Sequence, residues 1–339
     1  MPESGRCLYV PIMGVTPMER RKALLALALA AVLPVAHAQT EKWPDKPVRI
    51  VVPFAPGGGT DLTARTLATK LSEEYGQPFI VENRVGAGGT VGAEFVARSR
   101  PDGLTFLLVS ASYGASSNPA LYKLPFDPIK DITPVSMVAT LPLILAVHPS
   151  AKANNLKELI GRARANPREL AFGSAGIGGT LHLGMELLCQ MTKTEMVHVP
   201  HKGVALAIND LLAGRIQVML SDVSALVPHL KTGKVRAIAV TTEQRIAELP
   251  DVPTVGEVVP GYLVNSWMGI LGPAGIPSNI VSQLNQSLGR IIKRSDVQAS
   301  FRTYGNDPMH STSEEFGRVI ARDIAMWAKV VRDGNIKVE

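Results

Sequence analysis

A β-branched apolar run at Ile50, Val51 and Val52 stops at Pro53, and beyond the turn Pro56-Gly57-Gly58-Gly59 apolar residues recur at Ala64, Leu67, Ala68 and Leu71. The first pattern predicts a buried strand. The second, spaced by three and four, predicts one face of a helix that starts near Thr60 and Asp61. The alternation continues down the chain. Strands are expected over 78–82, 104–109, 141–147, 170–172, 196–199, 216–220, 235–240 and 265–271. Helix faces are expected at Val91, Phe95 and Val96, around 156–165, at Leu181, Gly184, Met185 and Leu188, and at Val204, Ala207, Ile208, Leu211 and Leu212. Two more follow, at Ile280, Leu284, Leu288 and Ile291, and at Phe316, Val319, Ile320, Ile324, Trp327 and Val331. Residues 113–135 and 249–262 read as irregular connections, being rich in Pro with Asn and Asp or with Gly. Strands alternating with helices predict an α/β fold with a mostly parallel sheet. The pattern restarts after 165 in a second series of similar plan, which suggests two similar lobes.

In open α/β sheets, ligands bind at the carboxyl ends of strands. The loops expected there are Gly57–Asp61, Gly86–Thr90, Ser110–Ser112, Gly173–Thr180, His201–Gly203 and Ser221–Asp222. Their residues are mostly small and polar. They offer backbone N–H groups at helix N-termini, where the dipole favours an anion, together with hydroxyls and few fixed charges. One such turn is equally a plain connection that needs glycine for its φ angles; its recurrence points to a shared cleft. That chemistry suits a carboxylate held by helix termini and hydroxyls. Arg84 and Lys202 are the nearest cations in sequence, and either reads equally well as a solvated surface group.

Length and composition narrow the class. The chain has 339 residues with 46% hydrophobic and 19% charged residues, a core-forming composition with room for two domains. The net charge of +6 comes without a basic cluster interleaved with aromatics, so nucleic acid is not an expected partner. Glu19-Arg20-Arg21-Lys22, the apolar run Ala23–Val35 and Ala36-His37-Ala38 form a secretory signal pattern, with cleavage expected before Gln39. Residues 1–17 read as an over-extended start, because Met18 immediately precedes the basic cluster. The apolar run is shorter than the roughly 20 residues a spanning helix needs, and no other stretch qualifies, so the mature protein is expected to be exported and not membrane-spanning. Removing 1–38 takes away four basic and two acidic residues and leaves a net charge of +4. Cys7 goes with the leader. Cys189 remains, and its apolar setting reads as a buried structural thiol.

Enzyme motifs fare poorly. No Gly-x-Ser-x-Gly elbow and no phosphate-binding Gly-x-x-x-x-Gly-Lys-Ser/Thr is present, and Gly86–Gly92 misses the dinucleotide fingerprint by one place. His198 and His201 lack further ligands at metal spacing. Asp61 reads as a helix N-cap as readily as a base. No cofactor or metal is expected.

Trp43-Pro44 and Lys46–Asp61 resemble the Bug/TctC family, the extracytoplasmic solute receptors of tripartite tricarboxylate transporters. The resemblance continues through Val81–Gly89, Ser99–Gly103, Asp127–Pro134, His198–Gly203, Asp210–Gly214 and Gly272–Pro277, and covers essentially the whole mature chain. It implies a two-lobed periplasmic-binding-protein fold, type II-like, closing as a Venus flytrap. Lobe 1 would be 43–145 plus 264–339 and lobe 2 146–263, with two hinge strands near Leu143–His148 and Asn265–Leu271. It implies a periplasmic protein that captures a small carboxylate: a di- or tricarboxylate, an acidic amino acid or an aromatic acid. Delivery would be to the membrane permease subunits of such a transporter, and a monomer is expected. The ligand-binding residues so implied are Phe54, Gly58, Gly59, Thr60, Asp61, Ala87, Gly88 and Gly89, then Ser174, Gly176, Gly179, Thr180 and Asp222. Ser110 and Ser112 join them from the loop pattern. His201 joins as a departure, since the family often has Tyr there; it reads equally as a cleft residue and as a neutral surface change. Two alternatives stay open: a hydrolase-like enzyme on the same scaffold using Ser174 or Asp61, and a receptor that presents its ligand to a sensor kinase.

Overall fold

Val48, Ile50 and Val52 face one hydrophobic core and Val51 faces another, so the run read as a buried strand is buried on both sides. The computed structural model describes Met18 and residues 43–86, 89–116 and 119–337. The proposed leader and its cleavage site lie outside the described residues, as do Ala87 and Gly88.

From Trp43 the chain forms one compact unit with two mixed sheets. Its first part runs β1 (Val48–Val52), α1 (Gly59–Tyr75), β2 (Phe79–Asn83), α2 (Thr90–Ala97), β3 (Thr105–Ser110), α3 (Ser112–Ser116) and β4 (Ile132–Leu141). The second part runs β5 (Leu143–Val147), α4 (Leu156–Ala165), β6 (Ala171–Ser174), α5 (Thr180–Thr192), β7 (Val197–Pro200), α6 (Val204–Leu212), β8 (Val218–Asp222), α7 (Val223–Leu230) and β9 (Arg236–Val240). The chain then returns through β10 (Ser266–Pro273), α8 (Ser278–Ile292), α9 (Ser295–Thr303), β11 (Asp307–Pro308) and α10 (Ser313–Asp333).

The strand orders are β11-β4-β10-β3-β1-β2 and β7-β6-β8-β5-β9. With the two-residue β11 set aside, both sheets have one plan. Three parallel strands lie at one side, then a reversed strand, then a fifth. The reversed strands are β10, antiparallel to β3 and β4, and β5, antiparallel to β8 and β9. Each sheet is therefore mixed, and the strand that breaks its parallel order is the one arriving from the other half of the chain. The run 141–147, read as one strand, is divided at Pro142. Leu141 ends β4 in the first sheet and Leu143 begins β5 in the second. Proline has no N–H to continue a ladder, so the break falls there.

The irregular reading of 113–135 is corrected at both ends, by α3 and by the start of β4. Pro134 and Ser136 hid that strand by interrupting its apolar pattern. Ser136 is satisfied in its buried site because it exchanges hydrogen bonds with Ser311: its Oγ donates to the Ser311 carbonyl at 2.9 Å and accepts from the Ser311 N–H at 3.3 Å.

The last helix ties the two halves together. A capping box between Thr312 and Glu315 starts α10. Phe316, Ile320 and Ile324 then pack into a core of the first sheet beside Trp267, while Trp327, Val330 and Val331 pack into a core of the second. The Trp267 indole N–H donates to buried Asp323 at 2.8 Å, which fixes the helix against β10 where the chain crosses back.

Candidate functional site

The loop between β1 and α1 leads to a helix whose N-cap is Gly58, with no side-chain cap. Asp61 is the third residue of that helix, not its N-cap. It is 1% exposed and is not part of the cavity wall described below. Its carboxylate accepts from the Gly57 N–H at 2.9 Å, from Arg65 at 2.9 and 3.1 Å, and from Asn83 at 2.9 Å. Burial alone would raise this carboxyl. The hydrogen bonds from Arg65, Gly57 and Asn83 outweigh it and hold the group below the ordinary carboxylate range. Asp61 thus shapes the turn that presents Gly59 and Thr60.

Gly59 and Thr60 form part of the wall of a cavity of about 620 Å³ between the two sheets' loops. Of the residues expected from sequence, it also gathers Phe54, Ser110, Ser112, Gly176, Gly179, Thr180 and Asp222. Gly58 stands just outside as an exposed N-cap. Gly89 caps α2 in a left-handed conformation and packs behind the wall against Pro53 and the Phe54 ring. Ser174 and His201 are not in the wall. Ser174 is fully buried, and the His201 Nε2 is paired with Asp210 at 2.9 Å. Sequence reading missed wall residues from the α3–β4 connection, the hinge and the returning chain, among them Tyr122, Leu141, Ser266, Met268, Tyr304 and Asn306.

Besides the short α3, which begins at Ser112, four helix N-termini open on this cavity, one from the first half and three from the second. They are α1 with Gly59 and Thr60, α5 with Gly179 and Thr180, α6 with Gly203 and Val204, and α7 with Asp222 and Ser224. None has a side-chain cap. Away from the cavity, α4 and α10 are capped by Asn155 and Thr312, whereas α2, α8 and α9 also lack a side-chain cap. In α7 the Val223 N–H donates to the Pro142 carbonyl at 3.1 Å; first-turn N–H groups that have no such acceptor are left for water or an anion. The Thr180 hydroxyl, 9% exposed as a residue, has no partner either.

The glycine loop of the second half is held from behind by two stacked imidazoles. His182 and His198 lie 3.7 Å apart between ring centroids, with Phe172 4.9 Å from His198. The His182 Nδ1 accepts the Gly178 N–H at 3.0 Å. The His198 Nε2 is 2.7 Å from the Ser174 Oγ, which in turn donates to the Gly176 carbonyl at 2.9 Å. The Ser174–His198 pair has the spacing of a nucleophile and base, but its hydroxyl is buried and engaged with the loop. Burial, then His182 and His201, push His198 down to about 3, which makes it a poor base near neutrality.

That depression has a sign. Between the ordinary value of 6.5 and about 3, the unfolded chain holds a proton that folded His198 does not. Stability from this group is complete above the window and is lost as pH falls through it. With the ring partly exposed, the expected loss by pH 4 is discounted to about 1–2 kcal/mol. Urea unfolding of wild type and His198→Gln between pH 7 and 4 checks this: the variant should show a flatter pH slope, and equal slopes would clear His198.

Asp222 ends β8 and is the N-cap of α7, yet its carboxylate makes no cap bond. Burial pushes it above the ordinary carboxylate range, opposed by its own N–H. Among the described residues, no cluster of His, Cys, Asp and Glu could hold a metal ion, and no helix is long and apolar enough to cross a membrane.

Two lobes of one topology, with a cavity between their strand-end loops, define a solute receptor of the periplasmic-binding-protein class. The model of the tripartite tricarboxylate transporter family receptor matches residues 63–336, and the chain belongs to that family. Among relatives, Protein BugT of Bordetella pertussis is 34% identical over 327 residues, covering 95% of this chain and 99% of that one. Two solved structures from Rhodopseudomonas palustris share the fold. Rpa4515 with adipate is 36% identical, with a TM-score of 0.73 over 87% of this chain and 100% of that one. MatC with bound malate is 32% identical, with a TM-score of 0.71 over 85% and 100%.

Proposed function

We propose that this chain is an exported, periplasmic receptor that closes its lobes on a small carboxylate and delivers it to membrane permease subunits. The observation that carries this reading is the meeting of uncapped helix N-termini from both halves around one cavity. A carboxylate there would take N–H groups from Gly59 and Thr60 on one side and from Gly179 and Thr180 on the other, with the Thr180, Ser110 and Ser112 hydroxyls beside them. The relatives Rpa4515, with adipate, and MatC, with malate, support the ligand class. Lobe 1, 43–145 plus 264–339, would move against lobe 2, 146–263, about the Leu141–Leu143 and Val264–Ser266 crossings. The last turns of α10 would keep their grip on the second core through Trp327. Closure of this kind is a hinge motion.

The test is a thermal-shift screen of ligand-stripped mature protein against mono-, di- and tricarboxylates. A ligand that binds only the folded state raises its melting temperature in a concentration-dependent way. If no carboxylate moves the melt, the reading fails. If one is turned over, the protein is an enzyme.

A further inference from the structure

The cavity wall is unusual in its balance of charge. Among the described residues it contains one carboxylate, Asp222, and no lysine or arginine. His182 is the imidazole of the wall, and its Nδ1 is already an acceptor for the Gly178 N–H. The cations nearest in sequence are turned elsewhere. Arg65 is spent on Asp61, and Arg84 pairs with Glu82 and lies over the Phe95 ring at 3.6 Å. Lys202 is exposed and outside the wall.

The wall also has acceptors that lack donors. The Asp222 carboxylate does not cap its own helix, and no side chain bonds to it among the described residues. Asn306, 1% exposed, lines the same cavity. Its amide nitrogen is used on Thr63 at 2.9 Å, and its Oδ1 has no partner. A polyanion entering this space would meet a carboxylate with no fixed cation to offset it. Burying like charges together without compensation is among the costliest arrangements in a protein. A ligand with a cation at one end and a carboxylate at the other resolves both shortages at once.

We propose that the ligand is an amino-bearing carboxylate, with its carboxylate on the helix N-termini and its ammonium group on Asp222. This rests on the receptor reading above and narrows it. Asp222 then acts as the specificity residue that separates amino acids from their deaminated analogues. An ammonium group offers three N–H donors, enough for the carboxylate and for a further acceptor such as the Asn306 Oδ1. A bare di- or tricarboxylate of the same length has none to offer.

The experiment is calorimetric titration of ligand-stripped mature protein with matched pairs: L-glutamate and glutarate, L-aspartate and succinate, L-phenylalanine and 3-phenylpropionate, with citrate added. The expected result is that at least one amino acid binds tenfold or more tightly than its partner, and more tightly than citrate. In Asp222→Asn that preference should shrink by tenfold or more, chiefly through weaker amino-acid binding. Tighter binding of a bare di- or tricarboxylate than of every amino acid overturns the proposal and leaves the receptor reading standing. An unchanged preference in Asp222→Asn also overturns it. If that variant does not fold, the wild-type preference alone decides. Failure of every carboxylate, amino-bearing or bare, overturns the receptor reading and this proposal with it.

Discussion

Asp61→Ala is expected to lower stability by about 3 kcal/mol and to weaken ligand binding with it. Asp61 is 1% exposed and serves three donors: Gly57, Arg65 and Asn83. Removing it leaves the Gly57 N–H without its acceptor. Asn83 keeps its bond to the Phe54 carbonyl at 3.0 Å, and half-exposed Arg65 can turn to water. The cost therefore sits below the sum of the separate bonds. Binding suffers because the same turn presents Gly59 and Thr60 to the cavity. Asp61→Asn keeps one acceptor oxygen, loses the charge and turns an NH2 toward the remaining donors, and a loss somewhat smaller than that of Asp61→Ala is expected. The pH dependence has a definite direction. The folded-state carboxyl lies below its ordinary value of 3.8, so its contribution is present above about pH 4 and is lost as pH falls through the folded value. Urea unfolding at pH 7 and pH 3, with affinity measured at pH 7, checks both parts. An unchanged melt together with unchanged affinity would show that this carboxylate does not hold the first turn of α1.

The role of Asp61 illustrates what can be read from sequence. The strand, the glycine turn and the helix behind it are all legible, because each is a local pattern. The direction of the Asp61 side chain is not, since it depends on Asn83, 22 positions away. Ser174 belongs to the expected loop without touching the cavity, because its hydroxyl faces His198 and holds the glycines that do reach the wall. His201 stands out in sequence as a departure from a family pattern, yet its imidazole turns to Asp210 on α6. Tyr304 and Asn306 give no signal at all. They follow α9 on the returning chain and reach the site only because β10 and β11 carry that chain back beside β4. In sequence, Tyr304-Gly305-Asn306 reads as an ordinary turn.

The topology explains why the site depends on such distant segments. Each sheet contributes loops from its own parallel strands, but the crossings at Leu141–Leu143 and before Ser266 belong to neither series alone. They place Leu141, Leu143 and Ser266 in the wall of the cavity with the glycine loops of the two halves. A wall assembled in this way would change shape in the proposed closure, whereas the cores behind it would not. Helix α10 adds a restraint, since it is buried in one core at Phe316 and in the other at Trp327. In the proposed closure, motion would be confined to bending that this helix and the two crossings share.

That motion should be sensitive to Gly305. It lies at φ +77°, in the left-handed region, and a Cβ added there would stand 2.2 Å from the Ser224 Oγ across the cleft. Gly305 belongs to the segment entering β11 of the first sheet, and Ser224 to the first turn of α7 in the second half. The two halves meet here, backbone against side chain. Gly305→Ala is expected to act twice. The positive φ costs about 1–2 kcal/mol of stability, because a Cβ crowds the backbone in that conformation. Separately, the collision with Ser224 holds the halves apart and lowers ligand affinity by about thirtyfold, equivalent to about 2 kcal/mol of closure. The double variant Gly305→Ala with Ser224→Gly separates these effects. It removes the collision and keeps the strained φ, so affinity should recover most of its loss while the melting temperature stays low. Calorimetric titration and thermal unfolding of wild type and the two variants read the two quantities independently. Wild-type affinity in the single variant would mean that the bound state does not use this contact, and that closure brings the lobes together elsewhere.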